Sequence, residues 1–125
     1  MFFGKTTKDI GAAGEKIAAK YLKKHGYTIR AKNFLCAHGE IDIVAETKSC
    51  LVFVEVKARA DNEKRFAEYG LPCEAVTKTK QQHILYTARI YLAKHPTEKE
   101  IRFDVLEVYL GKEVRVNHIE DAFCF

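Results

Sequence analysis

The 125-residue sequence contains no tryptophan, one methionine, two prolines and seven glycines, so its composition does not suggest a proline- or glycine-rich disordered chain. No apolar run approaches the roughly 18 residues of a membrane-spanning helix, and the opening MFFGKTTKD lacks the apolar core of a signal peptide. We therefore expect a cytoplasmic protein that makes no membrane contact. A hydrophobic content of 47% predicts one globular domain over residues 1–125.

The four cysteines form no CxxC pair and show no paired Cys/His spacing of the kind that binds zinc. We expect reduced, unpaired thiols at these positions, which are Cys36, Cys50, Cys73 and Cys124. The histidines are scattered as well, and we expect His38 to be an ordinary loop residue.

The net charge is only +4, but the charges are unevenly distributed. Residues 1–32 carry eight Lys or Arg against two acids, whereas residues 95–125 carry four against seven. Such asymmetry is typical of a surface that binds a polyanion, and equally of a lysine-rich solvated helix face. Charge alone leaves both interpretations open.

The stretch from Gly39 to Lys57 combines β-branched runs with an unusual set of charges. A short polar link, Thr47 to Cys50, predicts an antiparallel hairpin in which Glu46 lies opposite Leu51. Strict alternation along both strands then places Asp42 opposite Glu55 and Glu40 opposite Lys57, on one face. Like charges that face each other directly destabilise a sheet, so a purely structural hairpin would avoid Asp42 against Glu55.

The remaining segments predict the order αβββαββ, a mixed five-stranded α/β sheet flanked by helices. We expect a helix over Thr7–His25, a strand over Tyr27–Phe34, then the hairpin and a loop over residues 60–71. A second helix should run from Pro72, with Glu74 in its first turn, to about Lys94. Two further strands should span Ile101–Leu110 and Glu113–Ile119.

Several polar residues occupy positions where periodicity predicts partial burial. Glu15 borders the apolar stripe of the first helix, where its carboxylate either reaches water or meets the hairpin. Lys80 and Gln81 lie on or beside the stripe of the second helix, where they either meet the hairpin carboxylates or overhang into solvent. Asp104 is expected on a solvated face, and Phe123 and Phe125 are expected to dock on the body or on a partner subunit.

Asp42 followed thirteen residues later by Glu55-Val56-Lys57 resembles the PD-(D/E)xK nuclease motif. A wider set of blocks resembles the bacterial YraN-like family, UPF0102, across nearly the whole chain. These blocks are Gly14-Glu15, Asn33-Phe34, Gly39-Glu40-Ile41-Asp42, Phe53 to Lys57, Glu74-Ala75-Val76, Arg102-Phe103-Asp104-Val105 and Ala122-Phe123. One departure is Leu35, where a basic residue would be expected.

The resemblance implies a restriction-endonuclease-like fold, similar to that of archaeal Holliday junction resolvases, with a Mg²⁺ site for which Mn²⁺ can substitute. It implies catalytic roles for Glu15, Asp42, Glu55 and Lys57, and metal ligands drawn from Asp42, Glu55, the Val56 carbonyl, Glu15 and Glu40. Lys80, Gln81 and Arg59 would contact nucleic acid. Action on a four-way junction would require a symmetric homodimer.

Three functions follow from these expectations. The one we favour is a Mg²⁺-dependent DNA endonuclease, with selectivity for branched DNA as a further expectation. The alternatives are a nucleic-acid-binding module that keeps the fold without turnover, and an interaction protein whose acidic patch is an ion-paired surface. In the last case, Asp42→Ala should stabilise the protein by relieving repulsion.

Overall fold

A computed structural model describes residues 6–60 and 76–125, which form a five-stranded sheet with one helix on each face. The elements are α1 (Thr7–Lys24), β1 (Thr28–Cys36), β2 (Gly39–Glu46), β3 (Cys50–Arg59), α2 (Lys78–Lys94), β4 (Glu100–Leu110) and β5 (Val114–Phe123). The predicted order of helices and strands is therefore confirmed. Neither described helix is long and apolar enough to span a membrane.

The strands lie in the order β1-β2-β3-β4-β5, and only β3 and β4 run parallel. The predicted hairpin register is confirmed where the strands pair, because Glu46 lies opposite Leu51 and Ile43 opposite Val54. Each face of the sheet carries its own apolar cluster. Val52 and Val54 pack under α1, whereas Leu51 and Phe53 pack under α2.

Helix α1 begins at a complete capping box, in which Thr6 and Asp9 satisfy each other's backbone N–H groups. Gly26 follows its end with a φ of 88°, as expected for a glycine after a helix. The helix approaches β3 very closely at Gly14, where a Cβ atom would collide with the Cβ of Ala58. This contact brings the next residue, Glu15, down to the sheet.

The start of α2 differs from the prediction. Thr77 is an extended N-cap residue whose side chain accepts a hydrogen bond from the Lys80 N–H, so the helix begins at Lys78 and a continuous helix from Pro72 is wrong. Pro72, Glu74 and residues 61–71 of the predicted loop lie outside the described residues. Helix α2 contacts the start of β2 at Gly39, where a Cβ atom would lie 2.8 Å from Thr87 Oγ1.

Asp104 is fully buried, and its predicted place on a solvated face is wrong. The side chains of β4 that point towards α1 are covered, so the carboxylate is held by an ion pair with Arg102 at 2.8 Å and by His118 at 2.7 Å. Although burial raises the pKa of Asp104, the hydrogen bonds from His118, Arg102 and the Asp121 N–H outweigh it and lower that pKa overall.

The C-terminal aromatic residues dock on the body of the protein, as predicted. Phe123 stacks on Phe103 with ring centroids 5.2 Å apart, and Phe125 meets the same ring edge-on at 5.1 Å. Arg89 of α2 lies over the Phe125 ring at 4.7 Å. The expected free cysteines are confirmed at three positions, Cys36, Cys50 and Cys124, and Cys73 lies outside the described residues.

Candidate functional site: a carboxylate cluster between β2 and β3

The alternation of side chains along β2 breaks at Asp42. Ile41 belongs to the apolar cluster under α2, whereas Ile43, two residues later, belongs to the cluster under α1. In a regular strand these two side chains would share a face. The strict alternation predicted along β2 therefore fails at Asp42, where the strand changes faces.

The consequence is that Asp42 points between the strands. Its Oδ2 atom accepts a hydrogen bond of 2.8 Å from the backbone N–H of Val56, and the β2–β3 ladder ends beside it at Ile43 and Val54. The carboxylate thus takes the place of a β2 carbonyl oxygen. It pairs the Val56 N–H of β3, which would otherwise lack a hydrogen-bond acceptor. Asp42 is 7% exposed. It can meet side chains from both sides of the sheet.

On the α2 side, Asp42 meets Glu55, as the motif predicts. Glu55 is 5% exposed, and burial, followed by a hydrogen bond and charge repulsion from Asp42, raises the pKa of Glu55 to about 8. The charges of Lys80 and Lys57 lower that pKa without offsetting the rise. At neutral pH the metal-free protein therefore favours the protonated form of Glu55, which can donate a hydrogen bond to Asp42.

On the α1 side, the charge of Asp42 acts on Glu15. Burial, followed by the charge of Asp42, raises the pKa of Glu15, and Glu40 adds to the rise. A hydrogen bond from Asn33 and the charge of Lys32 act in the opposite direction. The two helices lie on opposite faces of the sheet, and the charge of Asp42 acts on Glu15 of α1.

The predicted nucleic-acid contacts lie on or beside the α2 side. Lys80 forms an ion pair of 3.6 Å with Glu55 and keeps 37% of its side chain exposed. Gln81 donates from Nε2 to the Val76 carbonyl oxygen at 3.0 Å, so its amide helps to hold the chain at the start of α2. Arg59 is the last residue of β3 and lies opposite Tyr109 of β4.

Sequence reasoning missed a buried acid next to Lys57. Glu107 of β4 is 3% exposed, lies opposite Lys57 in the parallel ladder, and accepts a 2.8 Å hydrogen bond from the Asn117 side chain. Glu107 alternates with apolar residues, which is the pattern of a half-exposed strand. No sequence signal distinguished it from a solvated glutamate.

The predicted site residues that act on one another electrostatically are Glu15, Glu40, Asp42, Glu55, Lys57 and Lys80. Within the ranges 6–60 and 76–125, no group of three or more His, Cys, Asp and Glu side chains is arranged as a ready metal site. The buried pair Asp42 and Glu55 supplies carboxylate oxygens of the kind that bind hard divalent cations.

Comparison with known sequences places the chain in a family. The sequence model of the uncharacterised protein family UPF0102 matches residues 14–108. The chain belongs to the UPF0102 family. A UPF0102 protein of Caldanaerobacter subterraneus is 48% identical over 121 residues, which cover 93% of this chain and 95% of the relative. UPF0102 proteins of Clostridium beijerinckii and Alkaliphilus metalliredigens are 44% and 42% identical, over 95% and 94% of this chain and 96% and 99% of each relative.

The part of this UPF0102 protein that matches the family model contains the whole cluster, from Glu15 to Lys80 and on to Glu107. The description of the family names no activity.

Proposed function

We propose that this UPF0102 protein is a Mg²⁺-dependent nuclease that hydrolyses phosphodiester bonds in DNA. The observation that carries the proposal is the buried contact between Asp42 and Glu55, with Lys57 and Lys80 beside it. Two carboxyls buried side by side are an unfavourable arrangement for a purely structural sheet. A divalent cation that replaces the proton would remove the repulsion.

The donors fit Mg²⁺ better than a softer metal. Mg²⁺ in proteins is commonly held by one or two carboxylates and several waters, and the side chains of Asp42 and Glu55 supply such carboxylates. The Val56 carbonyl would add a further oxygen ligand. Glu15, on which the Asp42 charge acts from the sheet, would bind the ion or one of its waters, and Glu40 is a more peripheral candidate. Mn²⁺ should substitute, because it accepts the same oxygen ligands.

The bound ion would supply positive charge that stabilises the developing negative charge on the phosphate and acidifies an attacking water. The side chains around the ion would position the water and the phosphate. Lys57, two residues beyond Glu55 on the same face, would orient the water or neutralise a non-bridging oxygen. Lys80, which is partly exposed, would turn from Glu55 towards the phosphate.

The DNA backbone would be held by charge rather than by base reading. Lys80 and Arg59 lie on the α2 side with Glu55, and Gln81 would act through its position at the start of α2. Cutting a four-way junction at two equivalent sites would require a symmetric dimer. Selectivity for branched DNA and dimer formation are therefore tested together, by measuring cleavage and mass in solution.

The decisive experiment incubates the purified protein with linear, nicked, flapped and four-way-junction DNA in Mg²⁺, in Mn²⁺ and in EDTA. We expect metal-dependent cleavage that is lost in Asp42→Asn, Glu55→Gln and Lys57→Ala. Asp42→Asn is preferred to Asp42→Ala because its amide oxygen can still accept from the Val56 N–H. Glu98→Gln and Lys48→Ala, at exposed positions, are matched controls that should cut like the wild type.

Absence of cleavage on all four DNA forms with both metals would contradict the proposal. Salt-sensitive DNA binding that Lys57→Ala leaves unchanged, without cleavage, would instead favour a nucleic-acid-binding module.

A further inference from the structure

Two exposed aromatic rings lie together at the junction of α2 with the β1–β2 turn. The rings of His38, in that turn, and Tyr86, on α2, meet at an angle of 63° with their centroids 5.7 Å apart. His38 is exposed, and Tyr86 is 42% exposed. Phe125, which is also exposed, packs on the buried ring of Phe103, whereas the ring that Tyr86 meets is itself exposed. Packing in the core therefore does not explain the His38–Tyr86 pair.

The turn that carries His38 is fixed to α2 on both sides of that residue. Cys36 Sγ lies 3.2 Å from Thr87 Oγ1, and the Thr87 hydroxyl donates a 2.8 Å hydrogen bond to the carbonyl oxygen of His83. Gly39 approaches the same helix so closely that a Cβ atom would lie 2.8 Å from Thr87 Oγ1. The two rings are therefore held by a closely packed junction of β1, β2 and α2.

A row of side chains on α2 leads from the carboxylate cluster to the rings. Lys80, His83 and Tyr86 are three residues apart, so they form one inclined row on the helix surface. At its start, the Lys80 ammonium lies 3.6 Å from the Glu55 carboxylate. Six residues of α-helix span about 9 Å, which is roughly two to three nucleotide steps of a DNA strand. A strand with a phosphate at Lys80 would therefore bring a neighbouring base to Tyr86.

Helix α2 carries charge of one sign only. Its 17 residues, Lys78–Lys94, include four Lys or Arg and no Asp or Glu. Lys78, Arg89 and Lys94 are exposed. A surface that serves only solubility commonly mixes both signs, whereas positive charge without acids attracts phosphate groups. The helix is therefore complementary in charge to a nucleic-acid backbone.

The rings add a contact that a duplex cannot use. Aromatic side chains in a positively charged groove bind single strands by stacking on their bases, and every base has a face to offer. An edge-to-face pair of rings leaves ring faces uncovered for such a contact. In a duplex the bases are already stacked on one another, so the rings favour a strand with unpaired bases.

We propose that His38 and Tyr86 form a stacking surface for unpaired bases of a DNA strand that approaches the carboxylate cluster along α2. This inference rests on the proposed function, which identifies the polyanion as DNA and the cluster as the place of cleavage. It gives the substrate class as DNA with a single-stranded segment, as in a flap or an open junction.

Binding of the full chain in EDTA tests the inference without cleavage. The probes are a short labelled DNA strand of mixed sequence, the same strand paired with its complement, and heparin, a polyanion without bases. Tyr86→Leu keeps an apolar side chain without a ring and should weaken single-strand binding by about 5–150-fold, the effect of one stacked base. Tyr86→Phe keeps the ring and should bind like the wild type. Neither substitution should change duplex or heparin binding.

Tyr86→Trp gives a direct signal of stacking, because the natural chain contains no tryptophan. The single strand should quench the fluorescence of this variant, and the duplex should quench it less. Ser49→Trp is the matched control, since Ser49 is exposed in the link between β2 and β3, at the far ends of these strands from Gly39 and Arg59. Its fluorescence should not change.

Single-strand binding that Tyr86→Leu leaves unchanged would overturn the inference and reduce this surface to a charged helix face. Equal quenching of Tyr86→Trp and Ser49→Trp, or equal quenching of Tyr86→Trp by single strand and duplex, would overturn it as well. A wild-type protein that binds single strands through Tyr86 but cuts no DNA with Mg²⁺ or Mn²⁺ would instead contradict the proposed function and leave the stacking surface standing.

Discussion

Glu55 should make the stability of the metal-free protein depend strongly on pH. Its pKa in the folded protein is about 8, against an ordinary value of 4.5, because of burial and then of Asp42. Between these two pH values the folded chain retains a proton that the unfolded chain has released. The free energy of unfolding should therefore fall as pH rises, by at most about 1.4 kcal/mol per pH unit.

Over the whole window, from about pH 4.5 to about pH 8, the loss amounts to roughly 5 kcal/mol. Little discount for solvent screening applies, because only 5% of Glu55 is exposed. Such a loss is a large fraction of the 5–15 kcal/mol that typically stabilises a folded domain. Glu55→Gln keeps the shape and a donor for Asp42 but cannot ionise. It should match the wild type near pH 4.5 and exceed it by several kcal/mol at pH 8.5.

The assay is urea unfolding in EDTA at five pH values between 4.5 and 9, for the wild type, Glu55→Gln and the exposed control Glu98→Gln. Every other titratable group is shared by the wild type and Glu55→Gln, so the difference between these two proteins isolates Glu55. Parallel curves for these two proteins would refute the reasoning. They would mean that Glu55 is ionised throughout the window.

Three further predictions concern the metal, the close approach of α1 and the buried ion pair. At ten times its Kd, Mg²⁺ should raise the free energy of unfolding by about 1.4 kcal/mol. Calorimetry in two buffers at pH 7 should detect the release of about one proton when Mg²⁺ binds. Asp42→Asn should show neither effect. Gly14→Ala should cost about 1–3 kcal/mol in thermal unfolding, because its Cβ would collide with Ala58, and should weaken Mn²⁺ binding. Asp104→Asn should cost about 3 kcal/mol in urea unfolding by leaving a buried charge without its partner, whereas Glu120→Gln, at an exposed position, should change stability by less than about 0.5 kcal/mol.

The hairpin register could be predicted because a four-residue polar link between two apolar strands leaves little freedom. Once Glu46 lies opposite Leu51, each following pair is determined, and Ile43 opposite Val54 agrees. The prediction fails where it assumes that the strand stays regular. Nothing in the sequence of β2 marks the change of face at Asp42. The residue opposite Asp42 is Asn33, whose φ of 52° is unusual for a strand, and it belongs to β1.

Asp104 was misplaced for a different reason. Polar residues that alternate with Phe103 and Val105 normally indicate a solvated face, and alternation cannot tell water from a second covered face. The usable signal was Arg102, two residues before Asp104 on the same face, since opposite charges at that spacing can neutralise each other when buried. The third member, His118, comes from β5 and is invisible to a local pattern.

The geometry at Asp42 also explains how helices on opposite faces can serve one site. A carboxylate that points between two strands can act on both faces, so its charge affects Glu15 on the α1 side and Glu55, which pairs with Lys80, on the α2 side. A regular strand would have directed Asp42 to one face and left Glu15 or Glu55 without it. The irregular backbone at Asp42 is therefore the feature on which the cluster depends. The hydrogen bond from the Val56 N–H fixes the Asp42 carboxylate in this position.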